Sequence, residues 1–320
     1  MRRFTATHLQ LGQMGVTVFF LCSGFIIPVS LERHGSLKTF WVSRFSRLYP
    51  MYWVSVIAAY VLWQAGRWAV DPELAAHPVR TFIANLTMVS KAFGSPFAID
   101  LYWTLTVELL FYVMCSVIFY LGWQRLAVLW AVLAIAGAAG AAALPQVVLD
   151  KPGTTLIYPF AAMFTGTVLH RWTRGQVPGR TASLVVALAA AGIVLGLAPR
   201  IHHPLHKLVG TGRFQPMVVA YLLAYALFVV MLLTRSRPIP RAITYIGTIS
   251  YSIYLIHPLM LSLLPRNLRG PSYVLIGVAI TIAASAVTYR LIEAPTITLG
   301  RRVAERLAEK EKSSGRVRGA

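Results

Sequence analysis

Two ionisable residues interrupt apolar stretches of this sequence. Glu108 stands in "YWTLTVELLFY" and His257 in "ISYSIYLIHPLM". An ionisable side chain inside a membrane segment is costly, so each is a candidate functional group. A carboxylate can orient an imidazole ring and raise its basicity, which would prepare the ring to act as a general base. The alternative is a buried pair that only fastens two helices together.

A proline adjoins the histidine and bears on this choice. Pro258 has no N–H, so the backbone carbonyl one turn earlier, near Tyr254, loses its helical partner. Irregular helices are tolerated in membranes where they line a cavity. The proline therefore favours a functional site over a purely structural pair.

Two arginines lie in "FWVSRFSRLYPMYWVSV", residues 40–56. Arg44 and Arg47 are three positions apart and share one face if the segment is helical. They can be anchors at the cytoplasmic end of a membrane helix, as the positive-inside rule describes. They can also bind an anionic ligand, because guanidinium groups match the oxygens of phosphates.

The amino-acid composition indicates the class of protein to which these residues belong. Of the 320 residues, 57% are hydrophobic and 12% are charged, whereas a soluble domain has about 25% charged residues. The sequence thus predicts an all-α, polytopic helical membrane protein in contact with the lipid bilayer. The formal net charge of +20 fits cytoplasmic loops that meet anionic headgroups. No basic groove with interleaved aromatics stands outside the apolar segments, so we expect no nucleic-acid partner.

Apolar length predicts about nine transmembrane helices. Residues 80–93 are shorter and more polar, which indicates an interfacial or re-entrant helix. We expect a membrane domain over residues 1–299 and a basic cytoplasmic tail over residues 300–320, helical at first and then disordered. The predicted spans are 15–31, 48–66, 102–122, 123–144, 155–170, 182–199, 217–234, 243–264 and 272–292.

The distribution of Lys and Arg predicts the orientation. Placing Arg44 and Arg47 on the cytoplasmic side of the inner membrane assigns most of the cationic residues, and the C-terminus, to that side. Nine alternating spans then put the N-terminus outside, although it begins "MRR". One further helix upstream would restore the rule, so the charge pattern predicts a chain truncated at its N-terminus.

The same topology gives the depth of the two candidate residues. Glu108 lies ~9 Å from the outer side, and His257 lies ~21 Å into a core of ~30 Å from the cytoplasmic side. Both therefore fall in the outer half of the membrane. This agreement in depth predicts that the carboxylate and the imidazole can meet.

Other polar positions carry weaker signals. Ser23 and Gly24 indicate close helix packing by small residues. Glu293 ends the last span, and we expect it either to cap the helix or to pair locally with Arg290, three residues earlier. The cysteines and histidines show no metal-ligand spacing supported by carboxylates, so no metal cofactor is expected.

Five stretches in a fixed order resemble the acyltransferase-3 family of integral membrane acyltransferases. The resemblance runs from Gly15 to Pro295 and implies a domain of roughly ten helices. It implies transfer of an acyl group, usually acetyl from acetyl-CoA, to a hydroxyl of a carbohydrate acceptor such as a glycan of lipopolysaccharide or exopolysaccharide. The stretches are "GVTVFFLCSGFIIP", "FWVSRFSRLYPMYW", "YWTLTVELLFY", "IGTISYSIYLIHP" and "YRLIEAP".

The resemblance assigns the arginine pair to the donor. Arg44 and Arg47 match the family's R-x-x-R motif, which handles coenzyme A from the cytoplasmic side. Family members also carry a histidine on an earlier first helix, generally taken as the catalytic base, and this sequence begins after that point. The resemblance thus implies the same missing helix as the charge pattern.

The resemblance also assigns the catalytic and substrate residues. Glu108 matches the glutamate of W-[ST]-L-x-x-E-x-x-F-Y, and His257 matches the histidine of S-Y-x-x-Y-L-x-H. Both are expected to be catalytic. The aromatic residues of the same motifs, Trp103, Tyr251 and Tyr254, are expected to contact the substrate.

Two alternatives to an active membrane O-acyltransferase remain open at this stage. Buried Glu and His residues also suit a proton-coupled transporter or flippase of a lipid-linked sugar. A truncated chain can also be an inactive relative of the acyltransferases.

Overall fold

A computed structural model describes residues 10–140, 157–197, 214–265 and 267–317. Within these residues the regular elements are helices, with no β-strand. This confirms the all-α prediction. In the part of the chain that the structure describes, five helices are long and apolar enough to cross a membrane: Leu11–His34, Asp100–Tyr120, Trp123–Gly140, Pro216–Leu233 and Gly270–Lys310.

The chain divides into two compact units. Unit 1 comprises Met1–Arg33 and Val107–Arg237, and unit 2 comprises His34–Thr106 and Pro238–Ala320. The helices of unit 1 are α1 (Leu11–His34), most of α5 (Trp103–Tyr120), α6 (Ala127–Gly140), α7 (Ile157–Thr173), α8 (Gly179–Leu197) and α9 (Phe214–Leu233). Those of unit 2 are α2 (Leu37–Gln64), α3 (Pro72–Ala76), α4 (Pro78–Asn85), α10 (Arg241–Thr248), α11 (Ser250–Ser262), α12 (Gly270–Thr288) and α13 (Ala294–Val317).

In unit 1, small residues let α1 and α7 approach closely. A Cβ on Gly24 would overlap the backbone of Met163, and one on Gly166 would overlap the carbonyl of Leu21. The Oγ1 of Thr167 donates to the Gly24 carbonyl over 2.9 Å. These contacts confirm the close packing expected at Gly24.

In unit 2, the segment predicted over residues 80–93 runs back along α2. Tyr60 donates to the Oγ1 of Thr81 over 3.0 Å, and Tyr49 donates to the Thr87 carbonyl over 3.2 Å. Tyr60 and Tyr49 are 11 positions apart, which corresponds to ~16 Å along the helix axis. A segment that descends this far beside α2 favours the re-entrant alternative over the interfacial one.

The span predicted over residues 243–264 is two helices. The α10 and α11 helices meet at Ile249, which is fully buried, whereas every residue of α10 is exposed. Two features promote the break: Gly247 is a poor helix former, and the Oγ1 of Thr248 donates to the Thr244 carbonyl over 2.9 Å. Such back-bonding to the preceding turn bends helices.

The last predicted span continues without a gap into the tail. A π-helical segment, Tyr289–Glu293, joins α12 to α13. Pro295 explains this register, because it cannot donate to the Leu291 carbonyl one turn earlier. The α13 helix continues to Val317, so the tail is helical well beyond the short stretch that we expected, and it crosses the predicted domain boundary at residue 299.

Candidate active site

The polar residues of "SYSIYLIHP" fasten α11 to the rest of unit 2. The Tyr251 hydroxyl donates to the Leu48 carbonyl of α2 over 2.8 Å. The Tyr254 hydroxyl donates to the Leu101 carbonyl over 3.1 Å and hydrogen-bonds the Oγ1 of Thr104. The α11 helix is thus anchored both to α2 and to the chain that leads into α5.

The imidazole of His257 is held in a defined orientation. Its Nδ1 lies 2.8 Å from the Tyr254 carbonyl and 3.2 Å from the Ile253 carbonyl. Carbonyl oxygens can only accept, so Nδ1 must carry a proton. In the neutral ring the lone pair then resides on Nε2, which is the nitrogen that can accept a proton. The carbonyl near Tyr254 that the sequence predicted to be released is therefore the one that orients the ring.

The helix break changes the depth calculated for His257. The value of ~21 Å assumed one continuous helix from residue 243. Along α11 itself, His257 lies seven positions after Ser250, or ~10 Å. The straight-helix estimate was therefore wrong, because α10 is a separate, exposed helix.

The two arginines lie on the first turns of α2, and their exposures differ. Arg44 is half-buried, with its guanidinium 5.5 Å from the centroid of the Phe40 ring, whereas Arg47 is exposed. The α13 helix packs along α2 at the same turn, where a Cβ on Gly300 would overlap the side chain of Ser46. A cationic face and a close helix contact therefore share one short stretch of α2.

Glu293 is placed differently from the expectation. It is 2% exposed and accepts a hydrogen bond from the Ser252 hydroxyl over 2.7 Å at Oε2. Arg290 is exposed, so the predicted local pair with Arg290 is wrong. The π-helical register turns Glu293 toward α11.

Glu108 and Trp103 lie on the same helix, α5, in different units. Glu108 belongs to unit 1, is 6% exposed and accepts a hydrogen bond from the Tyr112 hydroxyl over 2.7 Å. Trp103 is half-buried at the start of α5 in unit 2. Because Glu108 and His257 fall in different units, their pairing stays a prediction. The agreement in depth no longer supports it, since that agreement used the straight-helix value for His257.

Two contacts that hold α11 in unit 2 were not predicted from the sequence: that of Thr104 with Tyr254 and that of Glu293 with Ser252. Thr104 supports Tyr254 through a contact between residues 150 positions apart, and no local pattern announces such a contact. Glu293 had a usable signal: Pro295, two residues later, forces a helix irregularity that can turn a side chain inward.

Comparison with known proteins assigns the chain to a family. The family described as "Acyltransferase domain" matches residues 2–290. The chain therefore belongs to the acyltransferase-3 family, as the resemblance predicted, and it is an O-acyltransferase. No solved structure matches the chain.

Curated relatives cover most of the chain. It is similar to "Exopolysaccharide production protein ExoZ" of Rhizobium meliloti (strain 1021), with 28% identity over 93% of this chain and 93% of the relative. It is similar to "Nodulation protein 10" of Rhizobium leguminosarum bv. viciae, with 24% identity over 89% and 82%. It is also similar to "Peptidoglycan O-acetyltransferase OatA" of Listeria monocytogenes, with 25% identity over 89% of this chain and 51% of the relative.

Proposed function

We propose that this enzyme moves an acyl group, most simply acetyl, from acyl-CoA to a hydroxyl of a cell-surface glycan. It does so as a multi-pass protein of the inner membrane with a cytoplasmic C-terminus. The names of two relatives support the acceptor class, since one refers to exopolysaccharide production and the other to peptidoglycan O-acetylation.

The observation that carries the proposal is the geometry of His257. Its Nδ1 donates to the Tyr254 carbonyl over 2.8 Å, which leaves Nε2 as the basic nitrogen of a half-buried ring. None of the described residues of unit 2 hydrogen-bonds Nε2. A hydroxyl group of an acceptor can donate to this nitrogen.

The reaction that follows is a general-base-assisted acyl transfer. Nε2 of His257 takes the hydroxyl proton while the hydroxyl oxygen attacks the thioester carbonyl carbon. The C–S bond breaks, and Nε2 returns the proton to the leaving thiolate. The products are an ester and coenzyme A with a free thiol.

In this proposal, Arg44 and Arg47 bind the acyl-CoA donor. Coenzyme A carries several phosphate groups, and guanidinium groups bind phosphate oxygens through charge-assisted hydrogen bonds. The half-buried Arg44 offers a fixed charge, and the exposed Arg47 offers an accessible one. In the same unit, the buried Glu293 accepts from Ser252 and so ties α11 to the π-helical segment.

The remaining residues have supporting roles in the proposal. Glu108 acts as a catalytic carboxylate that orients or polarises the reacting groups. Trp103, Tyr251 and Tyr254 contact the substrate. The hydroxyls of the two tyrosines already donate to backbone carbonyls, so we expect their ring faces to make this contact.

The donor role is tested with purified protein in lipid vesicles, by measuring acetyl-CoA consumption with a glycan acceptor. Arg44→Ala and Arg47→Ala should each raise the KM for acetyl-CoA at least about tenfold, the loss expected for a charge-assisted contact. Arg180→Ala is the matched control, because Arg180 is an exposed arginine of unit 1. An unchanged KM in both variants would remove the arginines from the donor site.

A further inference from the structure

One backbone carbonyl in α11 has a partner that a regular helix would not give it. In a regular helix the Tyr254 carbonyl would accept from the N–H of residue 258, but that residue is proline. The Nδ1 of His257 takes its place at 2.8 Å, closer than the 3.2 Å to the Ile253 carbonyl. The nearer acceptor is therefore the one that the proline leaves unoccupied.

We propose that Pro258 is a positioning residue that sets the tautomer of His257. By withholding an N–H, it reserves the Tyr254 carbonyl for Nδ1–H and keeps the lone pair on Nε2. Only the catalytic use of Nε2 in this inference rests on the proposed function. The tautomer itself is a property of α11 and can be measured without any reaction.

The chemistry requires one tautomer because the two ring nitrogens have opposite roles. A ring protonated on Nε2 can donate a hydrogen bond to the acceptor hydroxyl but cannot take its proton. An N–H at position 258 would compete with Nδ1–H for the Tyr254 carbonyl. The ring would then sample the wrong tautomer more often.

A carbonyl released by proline also receives a side-chain donor in unit 1. Pro28, inside α1, leaves the Gly24 carbonyl without its helical donor. The Oγ1 of Thr167 donates to that carbonyl over 2.9 Å. In both helices a carbonyl released by proline receives a side-chain donor.

The test measures the ¹⁵N chemical shifts of histidine side chains in labelled full-length protein in lipid, at a pH where the ring is neutral. The signals of His257 are assigned by their loss in His257→Gln. We expect the native protein to show Nε2 unprotonated. In Pro258→Ala the population of the other tautomer should rise about fivefold, the factor that corresponds to one neutral hydrogen bond.

Two further variants separate the missing N–H from other effects of proline. Lactic acid at position 258 gives an ester that lacks both the ring and the N–H, and it should retain the native tautomer. Pro271→Ala is the matched control, because Pro271 stands in the first turn of α12, where a missing N–H releases no helical carbonyl. Unchanged signals from the other histidines show that each variant is folded.

The outcomes distinguish this inference from the proposed function. If Pro258→Ala leaves the His257 shifts unchanged, or if the ester variant shifts them as alanine does, Pro258 does not set the tautomer. If the tautomer changes as expected and the maximal transfer rate does not fall, the inference stands and the base role of His257 fails.

Discussion

The Ser252 hydroxyl donates to the carboxylate of Glu293 over 2.7 Å, across 41 positions of sequence. This bond ties the helix that carries His257 to the π-helical segment before α13. Both partners are buried, with Ser252 fully buried and Glu293 2% exposed. The contact is therefore a buried one that helps to fix the position of α11.

Removing the hydroxyl of Ser252 should destabilise unit 2. Ser252→Ala leaves a buried carboxylate oxygen without its donor, and we expect a loss of about 1–3 kcal/mol. Thermal unfolding in detergent measures this loss. Ser272→Ala is the control, because Ser272 is exposed and its hydroxyl donates to the Arg269 carbonyl three residues earlier. Equal melting temperatures for the two variants would contradict the structural role of the Ser252–Glu293 bond.

A methyl group at Gly300 should disturb the turn of α2 that carries the arginines. Gly300→Ala places a Cβ against the side chain of Ser46, and overpacking of this kind costs about 1–3 kcal/mol. We expect a lower melting temperature and a higher KM for acetyl-CoA. The double variant Gly300→Ala with Ser46→Gly should recover most of both losses, since it removes the clashing side chain.

The matched control for Gly300 is Gly15→Ala in α1. Among the described residues, none lies within 4 Å of a Cβ at Gly15, and alanine is a better helix former by about 1 kcal/mol. We expect this variant to be as stable as the native protein or more so. A similar loss of stability in both glycine variants would show that the contact with Ser46 is not the cause.

The re-entrant path beside α2 predicts a difference in chemical labelling. In a variant without the native cysteines, Val79→Cys should react with a membrane-impermeant maleimide, because Val79 is 71% exposed. Met88→Cys should not react in the folded protein, because Met88 is fully buried. Reaction of both positions at similar rates would exclude a segment that is buried against α2.

The features that the sequence predicted correctly are local ones. Close helix packing at Gly24 follows from the small size of the residue. The carbonyl released by Pro258 follows from the missing N–H and the helical spacing. The break at Ile249 was missed because a single apolar run gives the same hydropathy whether its helix is continuous or not. The length of the helix in the tail was underestimated. Its high charge favoured a prediction of disorder, although many of its residues are good helix formers.

The missed members of the site depend on contacts between distant segments. Glu293 meets Ser252, and Thr104 meets Tyr254, only after α11 has packed against its neighbours. From the sequence alone, Glu293 is predicted to be a surface carboxylate that lies near Arg290. Its true partner depends on the π-helical register, which changes which face of the helix it occupies.

The central claim is that Nε2 of His257 is the base of the acyl transfer. The most direct measurement compares the maximal rate of ester formation by native protein and His257→Gln at saturating acetyl-CoA. His77→Gln is the control, because His77 is exposed in the same unit. We predict a loss of about 100-fold or more for His257→Gln, as for removal of a general base, and none for the control. A rate within about twofold of native for His257→Gln would contradict the claim.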